Sequence, residues 1–506
     1  MGCGQIMQDL FLGIDFGTGG CKVTAVSESG GVVADASVEY PTEYPHSGWS
    51  EQNPSDWYAA MCRAIAEVEK KGADLSKVAA ISFDGSTHNA VLLDANMRPV
   101  RKTIMWTDQR SVKECEELKR GMCDEIFSTA YQMPTPTWTL PQMMWLKNNE
   151  PDALERTEHV LFVKDYVRYL VTGVAVTDYI EAQGTLFFDM KSMSWSEKLV
   201  GISGLKMGAL PELVKPTDIV GKVSASAARD MGIPEGTPVV CGTSDSAAED
   251  YGAGAIQPDD CILKLATAGN VNVMTSAPHP FKTTLTYSHV IEGMWYTVSA
   301  TNAAALCQRW FRDAFCSEEK AVAAAEGKRA FALMDELAEK SPVGARGVMF
   351  HPYLQGERSP YWDADLRASF TGISISSTKG DFMRALLEGV AFSLKDCYGA
   401  IEEIGLDVKR IFLIGGGAKS KLWSSIIANV FDKSVAVPIP GDASYGTALI
   451  AGVGAGAFKT PAEAVEKCLK IDRFVKPDPQ VVPRYAELFK KYKAAHDALA
   501  PVYKMK

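Results

Sequence analysis

Two aspartates stand where an apolar, strand-like run gives way to a turn of small residues: Asp15 in GIDFGTGG and Asp245 in VVCGTSDSAAED. After Asp15, the turn of Gly17, Thr18, Gly19 and Gly20 lets backbone N–H groups come close to an anion, because no Cβ holds the ligand off. Asp15 itself could hold a hydrated Mg2+ on a polyphosphate. A plain β-turn, with the aspartate making local hydrogen bonds, is the competing reading. Asp245, among Ser, Gly and Ala, has room for a substrate beside it and could accept a hydroxyl proton. On local chemistry alone, capping of a helix that starts at Ser246 is the preferred reading.

Two further turns suit phosphate. Thr267, Ala268 and Gly269 in KLATAGN form a second candidate, with a structural hairpin equally compatible. In IGGGAKSKLW, Gly415, Gly416 and Gly417 lie between a buried strand and a helix, where they would let a flat ring or a phosphate reach the backbone. That turn lacks the G-x-G-x-x-G spacing of a dinucleotide site, and no P-loop pattern G-x-x-x-x-G-K-[ST] occurs in the chain. A last group lies in SFDGSTHNAVLLD and IMWTDQRS: Asp84, His88, Asn89, Trp106, Asp108 and Arg110. Hydrogen-bonding groups beside an aromatic face suit a polyol. For His88 alone a satisfied structural histidine competes, and Asp108 with Arg110 could form a surface turn.

The elements that must position these residues alternate between strand-like and helix-like runs, which indicates the α/β class. FLGIDFGTGGCKVTAVSESGGVVADASVEY reads as three consecutive strands joined by glycine turns; a helix over 56–71 and the buried strand VAAISFDG follow. This is not the opening of a nucleotide-binding βαβ unit. A comparable opening recurs in DDCILKLATAGNVNVMTSAP and MWYTVSATNAAALCQRWFRD, and VKRIFLIGGGAKSKLWSSIIANVF supplies a matching strand, turn and amphipathic helix. Two similar openings suggest an internal duplication. The boundary is expected in the small and polar run near 254–260, giving domains 9–255 and 256–460 and a helical tail 461–506.

Composition narrows the partners. With 506 residues, 46% hydrophobic and 23% charged, the chain is a globular protein of more than one domain. A net charge of −10 argues against nucleic acid or an anionic membrane as a partner. The eleven cysteines, Cys21, Cys62, Cys241, Cys261 and Cys307 among them, form no C-x-x-C and read as buried thiols in a reducing compartment. MGCGQIMQDLFLGID has no secretory signal, and Ile6 spoils a myristoylation pattern. No run reaches the ~18 apolar residues of a membrane helix, so a cytoplasmic protein is expected.

Taken together, these segments resemble the FGGY carbohydrate kinases, most closely the xylulokinase branch, from about residue 11 to 455. FLGIDFGTGGCKV, GWSEQNPSDWYAAM, LFVKDYVRYLVTG, TDYIEAQGTLFFD, HPYLQGERSPYWD, LLEGVAFSLKD, IGGGAKSKLW and SYGTALIAG carry the likeness in order. The resemblance implies two actin-like, ribonuclease H-like domains with an interdomain cleft, binding ATP, Mg2+ and a small sugar. It implies Asp245 as the catalytic base, against the cap reading. It places Asp15 at the metal and Gly17, Thr18, Gly19, Thr267 and Gly269 on phosphate loops. Gly415, Gly416, Gly417 and Ser420 fall on the nucleotide pocket, and Thr87, His88, Asn89, Trp106, Asp108 and Ser246 on the sugar site. Dimers are common in the family, so a homodimer is an expected form.

The chain also departs from the branch. Ser86, Thr87, His88 and Asn89 replace the usual Gln-Met-His-Gly, and Ser246 replaces the Asn that usually follows the base. Trp-Asn-Asp-Gly-Arg reads here as Trp106, Thr107, Asp108, Gln109 and Arg110, and Ala266 and Ala268 stand where Gly and Ser are usual. A site built for one hydroxyl pattern rejects another. D-xylulose therefore leads, with L-xylulose, D-ribulose and a linear polyol behind it. A sugar-sensing regulator that has lost turnover, and a chaperone- or filament-type ATPase, are the readings from other classes.

Overall fold

The computed structural model describes residues 9–505, so the amino-terminal segment read above for signal and lipidation lies outside the described residues. The chain forms two compact units. The first holds residues 9–256, 287–294 and 440–469; the second holds 257–286, 295–439 and 470–505.

The first unit is built on a mixed sheet. Its strands run in the spatial order Ile219–Lys222, Pro238–Ser244, Val78–Gly85, Leu10–Gly17, Gly20–Ser27 and Val32–Glu39. The three central strands are parallel to one another, and the flanking pairings are antiparallel. LFLGIDFG and VAAISFDG are apolar almost throughout because both faces of the sheet are covered. The helix Pro54–Lys70 starts at Asn53, whose side chain caps Ser55, and buries Trp57, Met61, Ala64, Ile65 and Val68 at helical spacing.

The second unit repeats the plan. Its sheet includes, in spatial order, Trp295–Thr301, Gly269–Thr275, Asp260–Leu265, Arg410–Ile414, Val435–Ile439 and Lys470–Val475. Asp260–Leu265, Arg410–Ile414 and Val435–Ile439 are parallel; the remaining pairings are antiparallel. Strand directions match the first unit position for position, as expected of a duplicated unit.

The boundaries differ from those read in the sequence. Residues 440–469, expected with the second domain and the tail, pack within the first unit. The reason is the helix Ala443–Gly454, whose small residues let its backbone lie directly on the sheet. A Cβ at Gly13 would stand 1.8 Å from the Ser444 carbonyl oxygen, and one at Gly446 would stand 1.9 Å from that of Ala248. Nor is the tail a separate element. Lys470–Val475 extends the second sheet, and the helix Val482–Tyr503 buries Tyr485, Leu488 and Tyr492 in the core of that unit. Among the described residues no disulfide is formed and no helix is long and apolar enough to cross a membrane.

Candidate active site

The turn after Asp15 is held by its carbonyls. Tyr40 Oη donates to Gly17 O, Gln52 Nε2 to Thr18 O (2.7 Å) and Tyr40 N to Gly19 O (3.4 Å). The carbonyls that would repel an anion are thus occupied, and a Cβ at Gly19 would meet nothing within 4 Å. Asp15 pairs in register with Asp84 on the neighbouring parallel strand. Asp84 is fully buried, with one oxygen accepting from Thr447 Oγ1 (2.5 Å). Burial pushes both carboxyls up, Asp15 to about 7 and Asp84 well above the usual range, with the charge of Asp15 adding to the rise at Asp84.

Asp15 Oδ1 and Asp84 Oδ1 are buried without a hydrogen-bond donor, and Asp245, Glu249 and Asp442 add negative potential at Asp15. Among the described residues no group of three or more His, Cys, Asp or Glu could hold a metal alone. One carboxylate oxygen short of a partner in an acidic surround fits Mg2+, which takes one or two carboxylates and completes its shell with phosphate and water.

Asp245 opens the helix Asp245–Gly252, but the cap is Ser244, whose side chain accepts from Ala247 N (3.4 Å). The local reading of Asp245 as the cap is therefore corrected by one residue: a cap must have extended backbone, which Ser244 has. Asp245 Oδ1 accepts from Ser246 N (2.7 Å), Ser246 Oγ (3.3 Å) and Thr87 Oγ1 (3.3 Å).

Thr87 belongs to a turn that the structure ties to the turn after Asp15. Ser86 N donates to Phe16 O (2.9 Å), Asn89 Oδ1 accepts from Trp106 N (2.5 Å), and Trp106 Nε1 donates to Thr18 Oγ1 (2.9 Å). Trp106 is 39% exposed. His88 is buried against Trp138, ring centroids 4.7 Å apart, and burial holds its pKa down to about 3. Its Nδ1 has no partner, which the structural-histidine reading does not anticipate.

Asp108 is not part of this cluster. It is fully buried, and its oxygens accept from Ser50 N (2.6 Å) and from Arg110 N, Nε and Nη2 (2.8–2.9 Å). Arg110 also pairs with Glu51 (2.8 Å) and lies over Trp49, 3.8 Å from the ring centroid. Both expectations for the pair, substrate group and surface turn, are corrected: every lone pair of Asp108 is committed to fixing Arg110 and the chain at Ser50.

In the second unit, Thr267 is exposed and its loop is again held by its carbonyls. Ala304 N (2.9 Å) and Leu306 N (3.3 Å) donate to Thr267 O, Ala305 N to Ala266 O (2.7 Å), and Arg309 Nη2 to Thr267 Oγ1 (3.0 Å). Gly269 is buried, and a Cβ there would stand 2.9 Å from Leu394 and Thr301, so its missing side chain serves packing. Of the three glycines, Gly415 (φ 87°) abuts Leu265 O, Gly417 packs on Leu265 and Trp423, and Gly416 alone faces open space. Ser420 caps the helix Lys421–Phe431 by accepting from Trp423 N (3.0 Å).

Sequence reasoning passed over Glu181, buried behind the Thr87–His88 turn, although Asp178-x-x-Glu181 is a capping-box spacing that flags it. It also passed over Tyr287, whose hydroxyl is pushed up first by burial and then by the charges of Glu181 and Asp245.

Known proteins bear on this arrangement. Models of the FGGY family of carbohydrate kinases match residues 10–252 with the N-terminal domain and 264–455 with the C-terminal domain. The xylulose kinase of Staphylococcus epidermidis is 32% identical over 97% of both chains, and the gluconokinase of Bacillus subtilis is 29% identical over 88% of both. The crystal structure of xylulose kinase from Rhodospirillum rubrum superposes with a TM-score of 0.88 at 27% identity, covering 98% of this chain and all of that one. The fold is the actin-like two-domain fold of these sugar kinases. The chain, a sugar phosphotransferase that uses ATP, belongs to the FGGY family of carbohydrate kinases.

Proposed function

We propose that the protein phosphorylates a small neutral ketose, D-xylulose first among them, with Asp245 as the general base. The observation that carries the reading is the placement of Asp245: Ser244 caps the helix, and the Asp245 carboxylate is oriented by Thr87 and Ser246 instead. In this position Asp245 accepts the proton of the sugar hydroxyl as that oxygen attacks the γ-phosphorus and ADP departs. Thr87 and Ser246 hydrogen-bond the sugar, Trp106 gives it an apolar face, and the neutral ring of His88 presents Nδ1. The fully buried Asn89, expected to bind the sugar, is instead spent on Ser86 and Trp106 and shapes the turn behind them. The amides of Gly17, Thr18 and Gly19 orient the transferred phosphate. Thr267, the Gly415–Gly416–Gly417 turn and Ser420 receive the nucleotide. Mg2+ held at Asp15 would offset the negative charge of the phosphates.

A ketose is favoured over gluconate by charge. None of the sugar-side residues is cationic: His88 stays neutral, and Arg110 is fully buried on Asp108 and Glu51. An anionic sugar acid would have no countercharge among them.

Sugar-dependent ADP release with D-xylulose, L-xylulose, D-ribulose, linear polyols and gluconate tests the proposal. The highest kcat/KM is expected with D-xylulose. A higher value with gluconate overturns the ketose reading. ATP binding without turnover on any sugar would favour a regulator on the same fold.

A further inference from the structure

We propose that Glu181 is a positioning residue for phosphoryl transfer: through the His88 N–H it holds the turn that brings the Thr87 hydroxyl to Asp245. The inference rests on the reading of Asp245 as the base.

His88 has φ 57°, in the left-handed region that a residue with a Cβ adopts only under constraint. The constraints are visible. Glu181 Oε1 accepts from His88 N at 2.6 Å, and Thr139 Oγ1 donates to His88 O at 2.7 Å. Asn89 Nδ2 donates to Ser86 O (2.6 Å) and Ser86 Oγ (2.8 Å), closing the other side of the turn. Gly184 seats the whole against its neighbour, since a Cβ there would stand 2.6 Å from Thr87 Cγ2. The output of this frame is the Thr87–Asp245 contact, at 3.3 Å long for a hydroxyl–carboxylate bond and so sensitive to small movements of the turn.

Glu181 is itself fixed from behind. It lies on the short helix Tyr179–Gln183, whose first amides, Ile180 N and Glu181 N, donate to Asp178 Oδ1. Asp178 is held by Lys164 (2.8 Å) and by Thr243 Oγ1 (2.9 Å), and Lys164 and Arg168 also pair with Asp165. Thr243 lies on the strand Pro238–Ser244 that delivers Asp245. The turn and the base are thus referred to one buried ionic frame.

The groups acting on Glu181 are Lys164, Asp165, Asp178 and the His88 amide, and Tyr287 senses its charge. Burial comes first, the two aspartates reinforce it, and the carboxyl is pushed well above its ordinary range despite Lys164 and the amide. Oε2 is buried without a partner. The contact that matters is made by Oε1, which accepts from His88 N, and an amide oxygen reproduces it, so the amide isostere of Glu181 can replace it.

The test compares wild type, Glu181→Gln, Glu181→Ala and Thr87→Val with the best sugar of the panel above. Glu181→Gln is expected to keep kcat within about 3-fold and the kcat–pH profile unmoved. Glu181→Ala is expected to lose 10- to 100-fold in kcat, raise KM for the sugar and not for ATP, and move the acid limb of the profile to higher pH. Thr87→Val, which removes the output directly, is expected to move the acid limb the same way and serves if Glu181→Ala fails to fold. Failure of Glu181→Gln to keep activity, or an unmoved acid limb in Glu181→Ala or Thr87→Val, overturns the inference. Absence of turnover in wild type on every sugar would instead overturn the proposed function.

Discussion

Replacing Asp245 by Asn separates the two roles a carboxylate can have at the start of a helix. Asn keeps the oxygen that accepts from Ser246 N at 2.7 Å and from Thr87 Oγ1, and the cap at Ser244 is untouched. What folding loses is one negative charge in the first helical turn, about 0.3–1 kcal/mol. Against this, Asp245 raises the pKa of both Asp15 and Asp84, so removing it relieves repulsion in the same cluster. The two effects oppose each other, and the net change should stay within about 1 kcal/mol, or under about 4 °C in Tm. Catalysis loses its proton acceptor, worth roughly 100- to 10,000-fold in kcat, or about 3–5 kcal/mol of barrier. Thermal unfolding and coupled ADP release on the same preparation measure both. A variant within 10-fold of wild-type kcat would remove Asp245 from the chemistry, and a Tm fall beyond about 8 °C would show that it is structural after all.

Asp108→Asn should behave in the opposite way. It leaves Arg110 buried and under-compensated, so a loss of about 3–5 kcal/mol is expected, with sugar preference unchanged in whatever protein folds. Denaturant unfolding and the sugar panel check this, and altered sugar preference at unchanged stability would contradict it. The buried ring of His88 sets a pH dependence. Its pKa is about 3 in the folded protein against 6.5 in the unfolded chain, so the unfolded chain takes up a proton first as pH falls. The stability contribution is whole above pH 6.5 and is lost progressively down to about pH 3. Between pH 7 and 5 wild type should lose about 2 kcal/mol more than His88→Gln. Parallel pH dependences in urea unfolding would refute the assignment.

Much of the fold was legible because its signals are local. Three strands with glycine turns, a helix and a buried strand fell where periodicity put them, and the second unit repeats the same strand order. The destinations of later segments were not legible. SYGTALIAG is small and apolar on all sides, so its pattern does not say which sheet it covers, and the tail looks polar because Lys470–Val475 is a half-exposed edge strand. At the site, Asp15, Thr18, Thr87, Asn89, Trp106, Asp245 and Ser246 lie in one connected set. Asp108 and Gly269 carried the right residue types but are spent on packing and buried charge, which only burial could reveal. Glu181 was hidden because a carboxyl at capping-box spacing has an ordinary explanation, and its true partner is 93 residues away.

The return of residues 440–469 to the first unit has a consequence for biosynthesis. A ribosome releases residue 256 about 190 residues before the helix Ala443–Gly454, a delay of roughly 10–40 s at ordinary elongation rates. Throughout that interval the first sheet has emerged with one face uncovered, Gly13 and Ala248 still unmet and the Thr447 hydroxyl not yet on Asp84. Until then the nascent amino-terminal half exposes apolar sheet surface that its completed unit buries. Asp84 acquires its final environment only as synthesis nears its end.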